Sequence, residues 1–174
     1  MKDVLTAIKE RYSSRGYKEQ MITDEELNAV IEAGLQAPTA ANRREIHFTV
    51  VKTDNPILKE LQEELLKGRP NMGGKFWYGA PILIILSGPE NFFWSACDAG
   101  IAVENMALAA EGLGLGTVIL GCIKDAMTLD KKAYFNEAFK IPEGNVFQVA
   151  LAVGYKDFVK EPHDYVKEDQ VTCL

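Results

Sequence analysis

Residues 95–121, SACDAGIAVENMALAAEGLGLGTVILG, restrict the possible folds of this chain more than any other stretch. Wound at the helical period, Ile101, Ala102, Val103, Met106, Ala107, Leu108, Ala109, Ala110 and Leu113 cover most of the circumference, leaving a narrow polar stripe through Glu104, Asn105 and Glu111. A helix that is apolar almost all round is stable only inside a core, so the remaining elements must enclose it. Ser95 with Asp98 three residues later reads as a capping box, and Gly112, Gly114 and Gly116 suit a helix end, which predicts a helix from about Ser95 to Gly112. TVILG follows, β-branched and apolar, as a strand buried on both faces. It ends at Gly121, where bare backbone could meet a cofactor.

A chain of 174 residues forms one domain around one core, spanning residues 1–174. No apolar run approaches the roughly 20 residues of a bilayer helix. The charges Lys2, Asp3, Lys9, Glu10 and Arg11 interrupt any secretory leader near the start, so a cytoplasmic location is expected. Cys97, Cys122 and Cys173 lack metal or disulfide spacing and read as free thiols. The net charge of −6 opposes nucleic acid and anionic lipid at long range, so an anionic ligand must meet a local basic cluster.

From the start of the chain, Val4, Leu5, Ile8 and Tyr12 predict an amphipathic helix over 2–12. It runs into RYSSRGY, where Arg11 and Arg15 bracket two serines. Two guanidinium forks beside hydroxyls suit a phosphate or carboxylate, and they equally suit the dipole at a helix C-terminus. Thr23 with Glu26 is a second capping box, opening a helix that must stop before Pro38. The loop APTAANRRE is built of small and polar residues that could lie against something flat. Strands are predicted at 46–51, 81–87 and 146–155, and helices from 55 or 56 to 67 and over 128–139. Residues 68–80 read as a mobile loop presenting Phe76, Trp77 and Tyr78, and the polar C-terminal segment as extended.

Glycines 112, 114 and 116 follow a helix and precede a strand, the reverse of the dinucleotide-binding order. His47 in a strand and His163 in the tail have no serine or cysteine partner at a spacing that suggests hydrolysis.

Five segments in order resemble the nitroreductase family of flavin enzymes: RYSSRGY at 11–17, APTAANRREIHF at 37–48, GAPILIIL at 79–86, DAGIAVENMALAAEGLGLGTVILG at 98–121, which resembles the family's central helix followed by G-L-G-[ST]-x-x-I-G, and FKIPEGNVFQVALAVGY at 139–155. The resemblance implies an α/β (α+β) fold, a mostly antiparallel sheet wrapped by helices, in an intertwined homodimer with one FMN at each subunit boundary. It implies a hydride transfer from NAD(P)H to nitroaromatic, quinone or similar flat acceptors by a ping-pong mechanism. Carried over residue by residue, it assigns Arg11, Tyr12 and Ser13 to the phosphate and ribityl chain and Arg15 to the pyrimidine edge, where it supports the reduced flavin. Pro38, Thr39, Ala40 and Asn42 would reach the same flavin from the partner, and the backbone of Leu120 and Gly121 would face the ring. Further candidates are Asn71 or Lys75 for the ring and Lys156 or Lys160 for the phosphate. Arg44, Glu45 and Ile46 replace the family's Gln-Pro-Trp and alter the pocket floor. A dehalogenase, a flavin-fragmenting enzyme and a non-catalytic flavin-binding dimer are the alternatives.

Overall fold

The structure is a computed structural model, and it describes residues 2–128, 130–162 and 170–173. His163 lies outside the described residues. The elements in chain order are α1 (Val4–Glu10), α2 (Asp24–Leu35), a 3-10 turn (Ala40–Asn42), β1 (His47–Lys52), α3 (Ile57–Gly68), β2 (Ile82–Pro89), α4 (Ser95–Gly112), β3 (Leu115–Leu120), α5 (Lys124–Thr128), α6 (Lys132–Ala138) and β4 (Asn145–Tyr155). The strands form one antiparallel sheet in the order β1-β2-β4-β3. Among the described residues no helix is long and apolar enough to cross a membrane.

Helices cover both faces, and the two-residue period of the central strands divides the core accordingly. Ile82, Ile84, Leu86, Leu151 and Val153 point toward α4 and α2. Leu83, Ile85, Ala150 and Ala152 point toward α3, α5 and α6. Burial on both sides explains why β2 reads as an unbroken apolar run. α4 lies against the sheet through Ala99, Ala102, Ala107 and Ala110, all buried, and its small side chains let α2 approach closely. A Cβ on Gly34 of α2 would stand only 2.8 Å from Met106 of α4.

The bounds of α4 agree with the sequence reading, but its capping does not. Trp94 is the N-cap residue and its side chain makes no capping bond. Ser95 is buried and donates its hydroxyl to the Pro89 carbonyl at 2.7 Å. Asp98 accepts the backbone N–H of Ala40, so neither half of the expected capping box forms. The capping box of α2 is present: Glu26 N–H donates to Thr23 Oγ1 at 3.1 Å, and Thr23 N–H to the Glu26 carboxylate at 2.8 Å.

Two further expectations are corrected. The stretch 128–139 is not one helix, since α5 ends at Thr128 and α6 opens at Lys132. Nor do the aromatics of 68–80 form a surface: Phe76 and Trp77 are buried in the α3 side of the core, and only Tyr78 is exposed. Gln62 of α3 fixes the loop by accepting Phe76 N–H at 2.9 Å and donating to Gly74 O at 3.3 Å.

The first helix is shorter than expected and its apolar face is uncovered in the single chain. Val4, Leu5 and Ile8 are 63%, 73% and 50% exposed. A groove of about 370 Å³ runs beside them between α1, α2 and α4, floored by Ala7, Ala29, Ala33, Leu108 and Ala109.

Candidate functional site

The RYSSRGY segment is threaded along the rim of the sheet. Asp3 caps α1 by accepting the N–H groups of Leu5 and Thr6, both at 3.1 Å, and the helix stops where Arg11 turns extended. Ser13 forms a parallel bridge with Thr117, and Ser14 N–H donates to the Thr117 carbonyl at 2.8 Å. The run then reaches the end of β4, where Lys18 N–H donates to Tyr155 O at 3.0 Å. Tyr12 is buried, and its hydroxyl donates to the Phe158 carbonyl. Arg11 contacts Glu104 at 3.3 Å, a pair open enough to water to exchange for another anion. The Arg15 guanidinium is exposed and lies 6.0 Å from the centre of the Tyr78 ring.

Three residues beyond Thr117, the Leu120 side chain turns into the core while Gly121 is exposed. A Cβ built on Gly121 meets no atom within 4 Å, so the space in front of this backbone is free. Gly116 is the opposite case, because a Cβ there would stand 2.5 Å from the Ser14 hydroxyl. Cys122, next to Gly121, is half-buried, and that burial pushes its thiol up. Burial, with the neighbouring phenols of Tyr12 and Tyr78, also pushes Tyr17 well above its ordinary value. Of the loop candidates, Asn71 is exposed, and the Lys75 ammonium sits 5.5 Å from the Trp77 ring centre.

The tail lysines meet different fates. Lys156 Nζ lies 2.7 Å from both oxygens of Glu111, and Lys2 Nζ lies 2.6 Å from one of them. Burial alone would raise the Glu111 carboxyl; hydrogen bonds from Lys156 and Lys2 outweigh it and hold the group below the ordinary carboxylate value. Lys160 is exposed, 5.8 Å from the Tyr12 ring centre. Both lysines line a cleft of about 470 Å³ with Tyr12, Lys18 and Tyr155. Sequence reasoning placed Glu111 only on a polar stripe; its position at the end of an otherwise apolar helix was the available signal of a buried partner.

The 38–42 loop is built separately. Ala40 N–H donates to the two Asp98 oxygens at 3.0 and 3.2 Å, and Arg44 N–H to Thr39 Oγ1 at 3.0 Å. Arg44 Nε donates to Asn42 Oδ1 at 2.9 Å. The loop follows α2 on the α4 side of the sheet, whereas Leu120 belongs to the opposite core. Among the described residues no hydrogen bond, ion pair or ring contact joins 38–42 to 11–17 or 118–122. One chain therefore lays the 11–15 segment along β3, the strand that ends at Leu120 and Gly121, with Tyr78 beside Arg15 and Phe158 and Lys160 beside Tyr12, and leaves Pro38, Thr39, Ala40 and Asn42 apart.

The fold matches a known class. The Nitroreductase family model matches residues 8–155, and the chain belongs to that family. It is similar to a nitroreductase with bound FMN from Desulfitobacterium hafniense DCB-2, at 31% identity and a TM-score of 0.90, covering 100% of this chain and 99% of that one. It is similar in the same way to a nitroreductase with bound FMN from Bacteroides fragilis NCTC 9343, at 29% identity and a TM-score of 0.87 over 100% of both chains. A protein of Archaeoglobus fulgidus provisionally named NADH dehydrogenase/NAD(P)H nitroreductase is 29% identical over 97% of this chain and 92% of its own length.

Proposed function

We propose that this protein is an FMN-dependent oxidoreductase using NAD(P)H as donor and a nitroaromatic, quinone or similar flat compound as acceptor, working as a homodimer with two shared sites. The observation that carries the reading is the open backbone at Gly121, reached along the same sheet rim that presents Ser13 and Arg15. A flat ring can lie against that backbone without displacing any side chain, so the residues fit the cofactor.

When bound, FMN supplies hydride acceptance from NAD(P)H and donation to the acceptor, in alternating ping-pong half-reactions. The chain's own residues bind and tune it. Arg11, Tyr12 and Ser13 would hold the phosphate and ribityl chain, and Arg15 would place a permanent cation where negative charge collects on reduction. Of the tail candidates Lys160 is the better phosphate ligand, because Lys156 is already committed to Glu111. Pro38, Thr39, Ala40 and Asn42 would come from the partner, which explains their separation within one chain. The uncovered face of Val4, Leu5 and Ile8 supports the dimer, since a soluble chain seldom leaves such a surface to water.

The test is anaerobic titration of the purified protein with NADH and NADPH, followed by reoxidation with nitro compounds, quinones and halophenols. Bleaching of a bound yellow chromophore by a nucleotide and its return with a nitro compound or quinone are expected. A protein that neither retains nor binds FMN would refute the reading, and turnover of halophenols alone would favour the dehalogenase.

A further inference from the structure

We propose that Arg44 selects the acceptor: the site takes flat aromatic compounds that carry an anionic group, a carboxylate foremost. The inference rests on the reading above, in which the 38–42 loop reaches the flavin, and adds the substrate class.

Residues 41, 42 and 44 all adopt left-handed backbone, with φ of 52° at Ala41, 55° at Asn42 and 54° at Arg44, although none is glycine. Such geometry persists only where the surroundings enforce it. Here the Asp98 carboxylate holds Ala40, Thr39 Oγ1 holds the Arg44 N–H, and Arg44 Nε is tied to Asn42. The Arg44 side chain is thus anchored to a residue proposed to touch the ring.

The two adjacent arginines have opposite electrostatic positions. Arg43 is neutralised by the Glu45 carboxylate, and its guanidinium lies over the Phe92 ring at 4.2 Å. Arg44 meets no carboxylate among the described residues. Its Nε–H is used on a neutral amide, and the Nη donors keep the fork that matches a carboxylate. In a protein of net charge −6, an uncompensated guanidinium beside the ring is where an anionic substrate can be held against the general field. Arg44 also borders a shallow hollow of about 30 Å³ lined by Leu35, Ala37, Ile46 and Phe48. That hollow can take an apolar edge of a ligand lying over it, and it is too small to enclose one.

The experiment compares 4-nitrobenzoate with 4-nitrobenzyl alcohol, which present the same nitro group on the same ring and differ in charge. With NADH as donor to the FMN-loaded dimer, kcat/KM for the acid is expected to exceed that for the alcohol about tenfold or more, the value of one charge-assisted hydrogen bond. Arg44→Gln should bring the ratio to about one, and Arg44→Lys should restore part of it. A second measurement needs no turnover. Benzoate titrated calorimetrically into the oxidised holoprotein should bind about tenfold more weakly in Arg44→Gln, with benzyl alcohol unaffected. A wild-type ratio near one, a ratio or a benzoate affinity unchanged in Arg44→Gln, or a loss of NADPH-over-NADH discrimination in place of the acceptor effect would each overturn the proposal. The last of these would assign the guanidinium to the nucleotide's 2'-phosphate. A protein without FMN overturns both readings; an active, flavin-loaded enzyme indifferent to the carboxylate overturns this one alone.

Discussion

Lys156 and Glu111 form the most buried ion pair among the described residues, with side chains 11% and 3% exposed. It fastens the start of the tail to the end of α4, and Lys2 joins it from the start of the chain. Glu111→Gln keeps the shape and leaves two ammonium groups facing a neutral amide, so a loss of about 3 kcal/mol is expected in denaturant unfolding. The effect should depend on pH. Because the folded carboxyl lies below its ordinary value of 4.5, its stabilisation is complete above 4.5, fades below it, and is gone once the pH falls through the depressed folded value. Wild type and variant should therefore converge in acid. A constant difference down to acid unfolding would assign the stabilisation to packing.

Two glycines should respond in opposite ways. A Cβ at Gly121 meets nothing within 4 Å, so Gly121→Val is expected to fold with a melting temperature close to that of the flavin-free wild type, while holding no FMN. A Cβ at Gly154 would stand 2.4 Å from Pro81 and 3.1 Å from Tyr17. Gly154→Ala is therefore expected to cost about 1–3 kcal/mol of stability. Flavin absorbance per protomer and thermal melts check both, and a fully loaded Gly121→Val protein would place the cofactor elsewhere.

Among the described residues, the contact with the Tyr78 ring is the one Arg15 makes, so its truncation should leave stability within about 0.5 kcal/mol. FMN binding should weaken by about 1.5–3 kcal/mol, the value of a charge-assisted hydrogen bond, and hydride transfer should slow with it. Equilibrium dialysis and anaerobic stopped-flow report the two separately. Unchanged affinity and reduction rate would remove Arg15 from the site.

Shared sites predict complementation between damaged chains. Thr39→Ala with Asn42→Ala should lower flavin occupancy, as should Arg11→Ala with Arg15→Ala. A heterodimer of the two has one intact site and one doubly damaged site, so the isolated heterodimer should carry about half the activity of wild type and a random one-to-one mixture about a quarter. Excess FMN should also oppose dimer dissociation by linkage. A monomer retaining FMN at full stoichiometry in sedimentation would contradict the shared arrangement.

Much of this was legible because burial leaves strong patterns. The Ala-rich run gave α4 its bounds, and β2 reads as a strand because both its faces are covered. What failed were inferences from single side chains whose partners lie outside the element they were read in. Ser95 and Asp98 have capping-box spacing, yet Pro89 and Ala40 claim them. Phe76 and Trp77 sit among glycines in a stretch without period, and only the contact with α3 reveals them as core. The candidate site divides likewise: motifs single out Arg11 to Arg15 and Gly121 as candidates, whereas nothing in the sequence announces that Tyr78 flanks Arg15, that Glu111 holds Lys156 or that Asp98 holds Ala40.

The bridge between Ser13 and Thr117 has a consequence for solubility. β3 ends the sheet, and a terminal strand with free N–H and C=O groups invites another chain to add to it. Ser14 occupies that flank by donating to Thr117, so the peptide that presents Arg11, Ser13 and Arg15 also serves as the selvedge of the sheet. A backbone change there, such as Ser14→Pro, would strip the donor and open the flank to aggregation along with the loss of ligand grip. Drift in this segment is thus held by two independent penalties, and resistance to strand addition would constrain it even in a descendant that no longer bound a ligand.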